Sequence, residues 1–245
     1  MKSEAKAAGA FFTESHQMTG SQSQLALIEG LIMNLGKLGV RIVAITSPSP
    51  DDGVRSFSRA LCASYSAADV KSVLIDLDQG GSYDADDRGW NPGIKLEPQL
   101  VSTDVLGFDE IRVQPNFVTR PMFNNLDHLR RALNQDLGGY NAVVINLPPL
   151  IGADVGAPNA VAIARAADGV LLVCGTGRSA TSETVKAVDD MKAAGCKVIG
   201  TVLDDSGGIR PGRDMADLID NSRFGSQKFG MWLSRALREN QLLNN

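Results

Sequence analysis

The chain has 245 residues and a mass of 26.0 kDa, and its 24 Lys and Arg against 28 Asp and Glu give a net charge of -4. With 43% hydrophobic and 21% charged residues it can bury an ordinary core, which excludes a wholly disordered chain. This mild acidity gives no general attraction to nucleic acid or to an anionic membrane. The sequence contains no run of 18 apolar residues, so no transmembrane helix is predicted.

The predicted elements alternate between short apolar strands and amphipathic helices. Residues 1–22 lack periodicity and are expected to form a flexible tail, whereas 23–245 are expected to form one domain with a C-terminal helical extension. In chain order the patterns predict a helix over 25–35 ended by Gly36, a strand over 40–45, a helix over 54–68, a strand over 73–77, a loop over 79–100, a strand over 111–113, a helix over 126–137, a strand over 142–147, a helix over 155–167, a strand over 169–174, a helix over 181–194, a strand over 197–203, and helical patterns over 214–220 and 231–243.

This alternation indicates βαβ units, so the predicted fold class is α/β, a three-layer sandwich with a mostly parallel sheet. Ligands of such sheets bind at the carboxyl ends of the strands, which makes the residues after each strand the candidates for function.

The cysteines and the N-terminus favour a cytoplasmic protein. Cys62, Cys174 and Cys196 are odd in number and widely spaced, so we expect buried free thiols and no disulfide framework or zinc site. The first fifteen residues contain Glu4 and lack the apolar stretch of a signal peptide. Recruitment to the inner membrane would then depend on a partner.

Three segments at the predicted strand ends resemble motifs of the bacterial tyrosine kinases. Residues 45–56, ITSPSPDDGVRS, are similar to the phosphate loop I-T-S-x-x-P-G-E-G-K-S/T of that family. Residues 73–78, VLIDLD, resemble its L-L-I-D-A-D motif, and residues 143–149, VVINLPP, resemble V-I-I-D-T-P-P. Together with the pattern over 154–203, the resemblance covers residues 24–205. It implies the phosphate-loop NTPase fold of the related partition ATPases.

The loop departs from the family pattern where phosphate would bind. A phosphate loop cradles anionic oxygens with backbone N–H groups and a Lys. On the resemblance, Asp51 replaces the first Gly, Val54 the Lys and Arg55 the next hydroxyl, while Gly53 and Ser56 remain as nucleotide-binding candidates. Valine can neither donate a hydrogen bond nor carry charge. Arg55 offers a guanidinium, which recognises phosphate well.

The extra acids of this loop, Asp51 and Asp52, would lie near a bound triphosphate. A like-charge pair at about 4 Å costs roughly 4 kcal/mol at an effective dielectric constant near 20. The other interpretation is structural: the loop connects a strand to a helix, and one of these acids caps the helix.

The remaining candidate site residues lie in the other two motifs and after the last predicted strand. The resemblance implies that Asp76 and Asp78 help to place Mg²⁺ and the attacking group, and they are the candidate catalytic residues, vestigial if the chain is not a kinase. Asn146 stands where the family has a magnesium-associated Asp, and Asp204 where relatives often have an Asn that reads adenine. No metal ion is expected; Ser56, Asp76 and Asp78 are its ligands if Mg²⁺ binds.

Two family features outside these motifs are missing. The kinases end in a tyrosine cluster, whereas the last of the three tyrosines here is Tyr140. Their ring-forming motif is E-x-x-R-x-x-R. Its three charged positions fall here on Ala26, Glu29 and Ile32, so the motif is absent. Apolar residues of this first helix form either core or a partner-binding stripe: Leu25, Ile28, Leu31, Ile32 and Leu35.

These observations lead to one main hypothesis and two alternatives. The main one is a catalytically degenerate, tyrosine-kinase-like accessory or regulatory protein of exopolysaccharide biosynthesis and export, without a cofactor. Its expected partner is a membrane polysaccharide copolymerase or chain-length protein; nucleic acid is not expected, and a homo-oligomer stays open. The alternatives are an active autokinase or ATPase that uses Mg-ATP, with Arg55 in place of the Lys, and a partition- or pole-organising ATPase relative.

Overall fold

A computed structural model describes residues 21–50, 52–78, 90, 92, 100–103, 107–113, 120–153, 157–176 and 181–204. Most of the predicted tail, nearly all of the predicted loop over 79–100 and both C-terminal helical patterns lie outside the described residues. The elements are α1 (Ser21–Lys37), β1 (Ile42–Thr46), α2 (Val54–Ala67), β2 (Ser72–Asp76), β3 (Leu100–Thr103), β4 (Phe108–Arg112), α3 (Arg120–Asn124), α4 (Leu126–Gln135), β5 (Ala142–Asn146), α5 (Ala160–Ala164), β6 (Gly169–Gly175), α6 (Thr181–Ala193) and β7 (Val198–Asp204).

The strands form a seven-stranded sheet in the order β3-β4-β2-β5-β1-β6-β7. Strand β1 pairs in parallel with β5 and β6, and β2 pairs in parallel with β4 and β5, whereas the edge strand β3 is antiparallel to β4. The prediction of a mostly parallel sheet is confirmed. The register sets Asp76 beside Asn146, so the ends of β2 and β5 meet at one edge of the sheet.

Alternate residues of the strands point into two different cores, which makes the fold three-layered. In β1, Ile42 and Ala44 pack with the core that includes α4 and α5 residues, whereas Val43 and Ile45 pack with residues of α1 and α2. All five residues of β1 are buried, as expected for a strand covered on both faces.

Helix α1 packs on the core, which confirms that interpretation for three of its five named apolar residues; Ile32 is partly buried there, and the side chain of Leu25 lies outside the described residues. Ile28, Leu31 and Leu35 are buried against α2 and the sheet. The prediction that Gly36 ends the helix was wrong, because the helix continues to Lys37. Gly39 ends it instead: its φ of +66° is left-handed, and its N–H donates to the carbonyl of Gly36.

Two elements escaped prediction, and one was predicted too long. Neither β3 nor α3 was expected, since both are short and carry little periodicity. The helix predicted over 155–167 covers only Ala160–Ala164. It begins late because the Asn159 side chain accepts a hydrogen bond from Ala162 N–H and caps the helix there.

The three cysteines are free and buried, as predicted. None of the described helices is long and apolar enough to cross a membrane.

The chain divides into two compact units. The larger comprises residues 1–174 and 178–203, and the smaller comprises 175–177 and 204–245. Of the smaller unit the structure describes Gly175, Thr176 and Asp204, and the Thr176 N–H donates to the Asp204 carbonyl at 2.9 Å.

Candidate functional site

The loop between β1 and α2 is held by the segment that follows β5. The Thr46 hydroxyl donates to the Pro148 carbonyl at 2.7 Å, and the Leu150 N–H donates to the Ser47 carbonyl at 2.9 Å. Both Thr46 and Ser47 are buried. The Thr46 hydroxyl and the Ser47 carbonyl are therefore already hydrogen-bonded within the protein, at the edge of the sheet where a phosphate would be expected to bind.

The N-cap of helix α2 is Gly53, whose φ of +78° is a left-handed conformation that favours glycine. No side chain caps the helix there. The next residue, Val54, is only 6% exposed and packs into the core between α1, α2 and the sheet. The position that aligns with the family's phosphate-binding Lys is thus part of the hydrophobic core.

Asp52 folds back into its own loop. Its side chain is 1% exposed, and one carboxylate oxygen accepts a hydrogen bond from Ser49 N–H at 3.4 Å. The interpretation of Asp52 as the cap of α2 was wrong, because Gly53 holds that position. Asp51, the other acid of that interpretation, lies outside the described residues.

Asp76 lies at the centre of a buried polar cluster, which we call the Asp76 corner and define as Arg55, Asp76 and Asn146. Asp76 is fully buried at the end of β2. Its Oδ2 lies 3.1 Å from Nε of Arg55, and its Oδ1 accepts a hydrogen bond from Nδ2 of Asn146 at 2.7 Å. The Asp78 N–H also donates to Oδ1, at 3.2 Å. Two hydrogen-bond donors, from β5 and from the loop after β2, and a cation from α2 thus converge on one carboxylate.

The electrostatics of the Asp76 corner balance burial against these donors. Burial raises the pKa of the Asp76 carboxyl above its usual range, because a charged carboxylate loses its hydration. The hydrogen bond from Asn146 and the charge of Arg55 lower that pKa and so offset part of the effect. The Arg55 side chain is 46% exposed, so it is in contact with solvent while its Nε lies beside the fully buried acid.

A second ion pair lies one helical turn farther along α2 and was not predicted. Nη2 of Arg59 lies 2.5 Å from Oε2 of Glu110, whose side chain is fully buried. Glu110 on β4 pairs with Leu74, two residues before Asp76, so the two acids face the same side of the sheet. The signal in the sequence was the i, i+4 spacing of Arg55 and Arg59, together with the two acids of the short segment FDEIR that forms β4.

The structure brings only some of the predicted site residues together. Arg55, Asp76 and Asn146 are in contact, and Asp78 joins them through its backbone. Ser56 is exposed in the first turn of α2, three residues after Gly53. Asp204 belongs to the smaller unit, where its carbonyl accepts a hydrogen bond from the Thr176 N–H.

The described residues at these positions differ from those that an Mg-ATP site of this type uses. A nucleotide site of this type needs a Lys for the phosphates and carboxylate oxygens for the metal. Here Val54 is in the core, the Asp76 carboxylate is bound by a guanidinium, and Asn146 directs an amide N–H towards Asp76. Within the described ranges, no three His, Cys, Asp or Glu side chains are grouped so that they could hold a metal ion.

Comparison with known proteins places this geometry in a known fold. No protein-family model matches the chain, and no curated protein matches it in sequence. Among solved structures, the kinase domain of the Escherichia coli tyrosine kinase ETK is 22% identical, with a TM-score of 0.63 and 74% of each chain covered. The VpsO kinase domain is 19% identical, with a TM-score of 0.61, and the match covers 75% of this chain and 95% of that one.

A similar structure with a ligand is a cobyrinic acid a,c-diamide synthase from Mycobacterium smegmatis, solved with bound ADP and magnesium. It is 16% identical, with a TM-score of 0.52, and the match covers 81% of this chain and 93% of that chain. The chain therefore has the α/β phosphate-loop NTPase fold that is also found in bacterial tyrosine kinase domains, as its sequence predicted.

Proposed function

We propose that this chain is a catalytically degenerate, tyrosine-kinase-like accessory or regulatory protein of exopolysaccharide biosynthesis and export. The observation that carries the proposal is the ion pair between Arg55 and the buried Asp76. Phosphoryl transfer is catalysed mainly by positioning and by positive charge around the transferred group. In this chain the best-matched acid is instead neutralised by the protein's own arginine, one residue after an apolar Val54.

The tyrosines support the same proposal. Tyr65 is only 7% exposed, and burial raises its pKa to about 12. The Tyr140 hydroxyl donates to the Asp109 carboxylate at 2.6 Å, and Lys71 lies 4.9 Å from the centre of its ring. Neither described hydroxyl is presented as a phosphate acceptor. Tyr83 lies outside the described residues.

The proposed mode of action is binding to a membrane polysaccharide copolymerase or chain-length protein. The support is the motif resemblance over residues 24–205 together with the fold. Large apolar side chains of α1 and the residue after it, which the core does not use, offer part of a contact surface: Leu27, Met33 and Leu38. Localisation at the inner membrane would follow from this partner.

Isothermal titration with Mg-ATP and Mg-ADP tests the loss of catalysis. We expect no binding heat at millimolar nucleotide and no phosphate release. Tight Mg-ATP binding, with hydrolysis that Asp76→Ala abolishes, would instead establish the active ATPase. Phosphotyrosine found by mass spectrometry at Tyr65, Tyr83 or Tyr140 after incubation with ATP would establish the autokinase.

Affinity capture from cells of the source organism tests the partner. The proposal expects an inner-membrane polysaccharide copolymerase, retained at physiological salt. Recovery of polar or chromosomal proteins without any polysaccharide-assembly protein would favour the partition-related alternative.

A further inference from the structure

Two residues in the middle of the long connection from β2 to β3 are described, and each contacts the α3–α4 pair of helices. One of them, Trp90, is only 2% exposed and belongs to the core cluster that also contains Phe123 of α3. The two rings meet edge to face, with their centroids 6.0 Å apart and their planes at 82°. Because burial of a tryptophan removes a large apolar area from water, Trp90 anchors this connection in the core.

The indole of Trp90 makes the first of two fastenings. Its Nε1–H donates to Oδ2 of Asp136, the C-cap residue of α4, at 3.0 Å. A buried indole N–H needs an acceptor, and a carboxylate accepts a stronger hydrogen bond than a neutral group does. Trp90 is therefore held both by its apolar ring and by its polar atom.

The carbonyl of Pro92 makes the second fastening, at the other end of α4. It lies 2.8 Å from Nε2 of His128, in the first turn of that helix. Since a carbonyl oxygen can only accept a hydrogen bond, Nε2 of His128 carries the proton and is the donor. His128 lies eight residues before Asp136, which corresponds to about 12 Å along a helix. The two fastenings therefore hold the connection across the length of α4.

This connection lies outside the parallel part of the sheet. It leads to the edge strand β3, which pairs with β4 in antiparallel orientation. Detaching Trp90 and Pro92 from α4 therefore breaks no hydrogen bond between parallel strands. Because one residue separates Trp90 from Pro92, each fastening keeps the other close to its partner, so the loss of one weakens the other.

We propose that Trp90 and Pro92 form a two-point clasp on α4, and that this clasp detaches as one unit while the parallel sheet stays folded. Detachment uncovers the ring of Phe123 and so exposes an aromatic surface without unfolding the protein. The connection continues from Asp78, whose N–H donates to the Asp76 carboxylate, so the clasp also restrains the chain that leaves the Asp76 corner. The clasp goes beyond the proposed function, because it requires neither a nucleotide nor a partner.

Hydrogen exchange of the Trp90 indole N–H, followed by NMR, tests the clasp. Trp90→Phe assigns its signal, since the chain has two tryptophans. The protection of this N–H should be at least roughly tenfold lower than that of the Val144 backbone N–H in β5, because the clasp detaches before the sheet unfolds. It should still be at least about tenfold higher than that of a free indole, because the clasp is attached most of the time.

His128→Phe removes the second fastening without changing the indole or its acceptor. It should lower the protection of the Trp90 N–H by roughly 2- to 10-fold, which is the effect of one neutral hydrogen bond. Asp136→Asn keeps an acceptor for the indole but removes its charge, so it should lower the same protection. It replaces His128→Phe if that variant does not fold.

Gly53→Ala is the matched control, because it strains the start of α2, which packs on the other face of the sheet from α4. It should lower the protection of the Val144 N–H by roughly 5- to 30-fold and leave that of the Trp90 N–H unchanged, since α2 stays folded when the clasp detaches.

Any of four results would overturn the proposal. These are equal protection of the Trp90 and Val144 N–H groups in the wild type, a Trp90 N–H that exchanges like a free indole, Trp90 protection that neither His128→Phe nor Asp136→Asn lowers, and a loss of Trp90 protection in Gly53→Ala that equals the loss at Val144.

Discussion

Placing an acid at position 146, where the resembling kinase motif has one, should destabilise this protein. Asn146→Asp is nearly isosteric, but it replaces an N–H donor 2.7 Å from Oδ1 of Asp76 by a second carboxylate in a fully buried position. The lost hydrogen bond to a charged group is worth about 1.5–3 kcal/mol. Repulsion between two carboxylates at about 4 Å adds roughly 4 kcal/mol at an effective dielectric constant of 20. Uptake of one proton by the pair limits the total at neutral pH.

We therefore expect Asn146→Asp to lower the free energy of unfolding by about 3–5 kcal/mol at pH 7.5, measured by urea denaturation. The shared proton gives the pair a raised pKa in the folded state, so the folded protein binds more protons than the unfolded chain. Stability then falls as pH rises through that pKa, and the loss should be smaller at pH 5.5 than at pH 7.5.

Asn159→Asp is the matched control for this change. Its side chain is also an Asn that accepts a hydrogen bond, from Ala162 N–H at 3.2 Å, but it is exposed at the start of α5. Asp caps helices as well as Asn does, so its effect should stay within about 0.5 kcal/mol. A loss below about 1 kcal/mol for Asn146→Asp at pH 7.5, or a loss that does not depend on pH, would refute the reasoning.

Three further predictions concern α2. Arg59→Ala should cost at least about 2 kcal/mol in urea denaturation, because it leaves Glu110 buried without its cation, and adding Glu110→Leu should recover most of the loss; no recovery in the double variant would contradict this. Gly53→Ala should cost about 1–2 kcal/mol, since φ there is +78°, whereas Gly30→Ala in α1, where an added Cβ meets nothing within 4 Å, should not destabilise the protein. Between pH 10 and 12 stability should fall, because the folded state keeps the Tyr65 proton that the unfolded chain loses; Tyr65→Phe should reduce this slope, and an unchanged slope would show that Tyr65 is not its source.

The sequence predicted the strands and long helices because their signals are local. The apolar runs that became β1, β2, β5 and β6 are buried on both faces, and such strands read as continuous hydrophobic segments. Short elements were missed or misplaced for the opposite reason. The five residues of α3 carry little pattern, and the start of α5 depends on one capping side chain, Asn159.

The candidate site was predicted in part. The resemblance to the kinase motifs pointed to Asp76, Arg55 and Asn146, and the parallel register brings Asp76 and Asn146 together at one edge of the sheet. It did not show that Arg55 binds Asp76, since a helix residue and a strand residue 21 positions apart come together only when α2 packs on the sheet. The same holds for Arg59 and Glu110, which are separated by 51 positions.

The positions of the acidic residues in the folded chain depend on this packing. The sequence by itself determined the α/β fold class, because hydrophobic periodicity can be read locally. By resemblance alone it also places Val54 where the bacterial tyrosine kinases have a Lys. It also suggested that the excess acids would repel a triphosphate. Tertiary structure alone decided where those charges go. Asp52 turns into its own loop and Asp76 binds Arg55, because burial of a carboxylate is tolerated only beside donors that the folded chain brings to it.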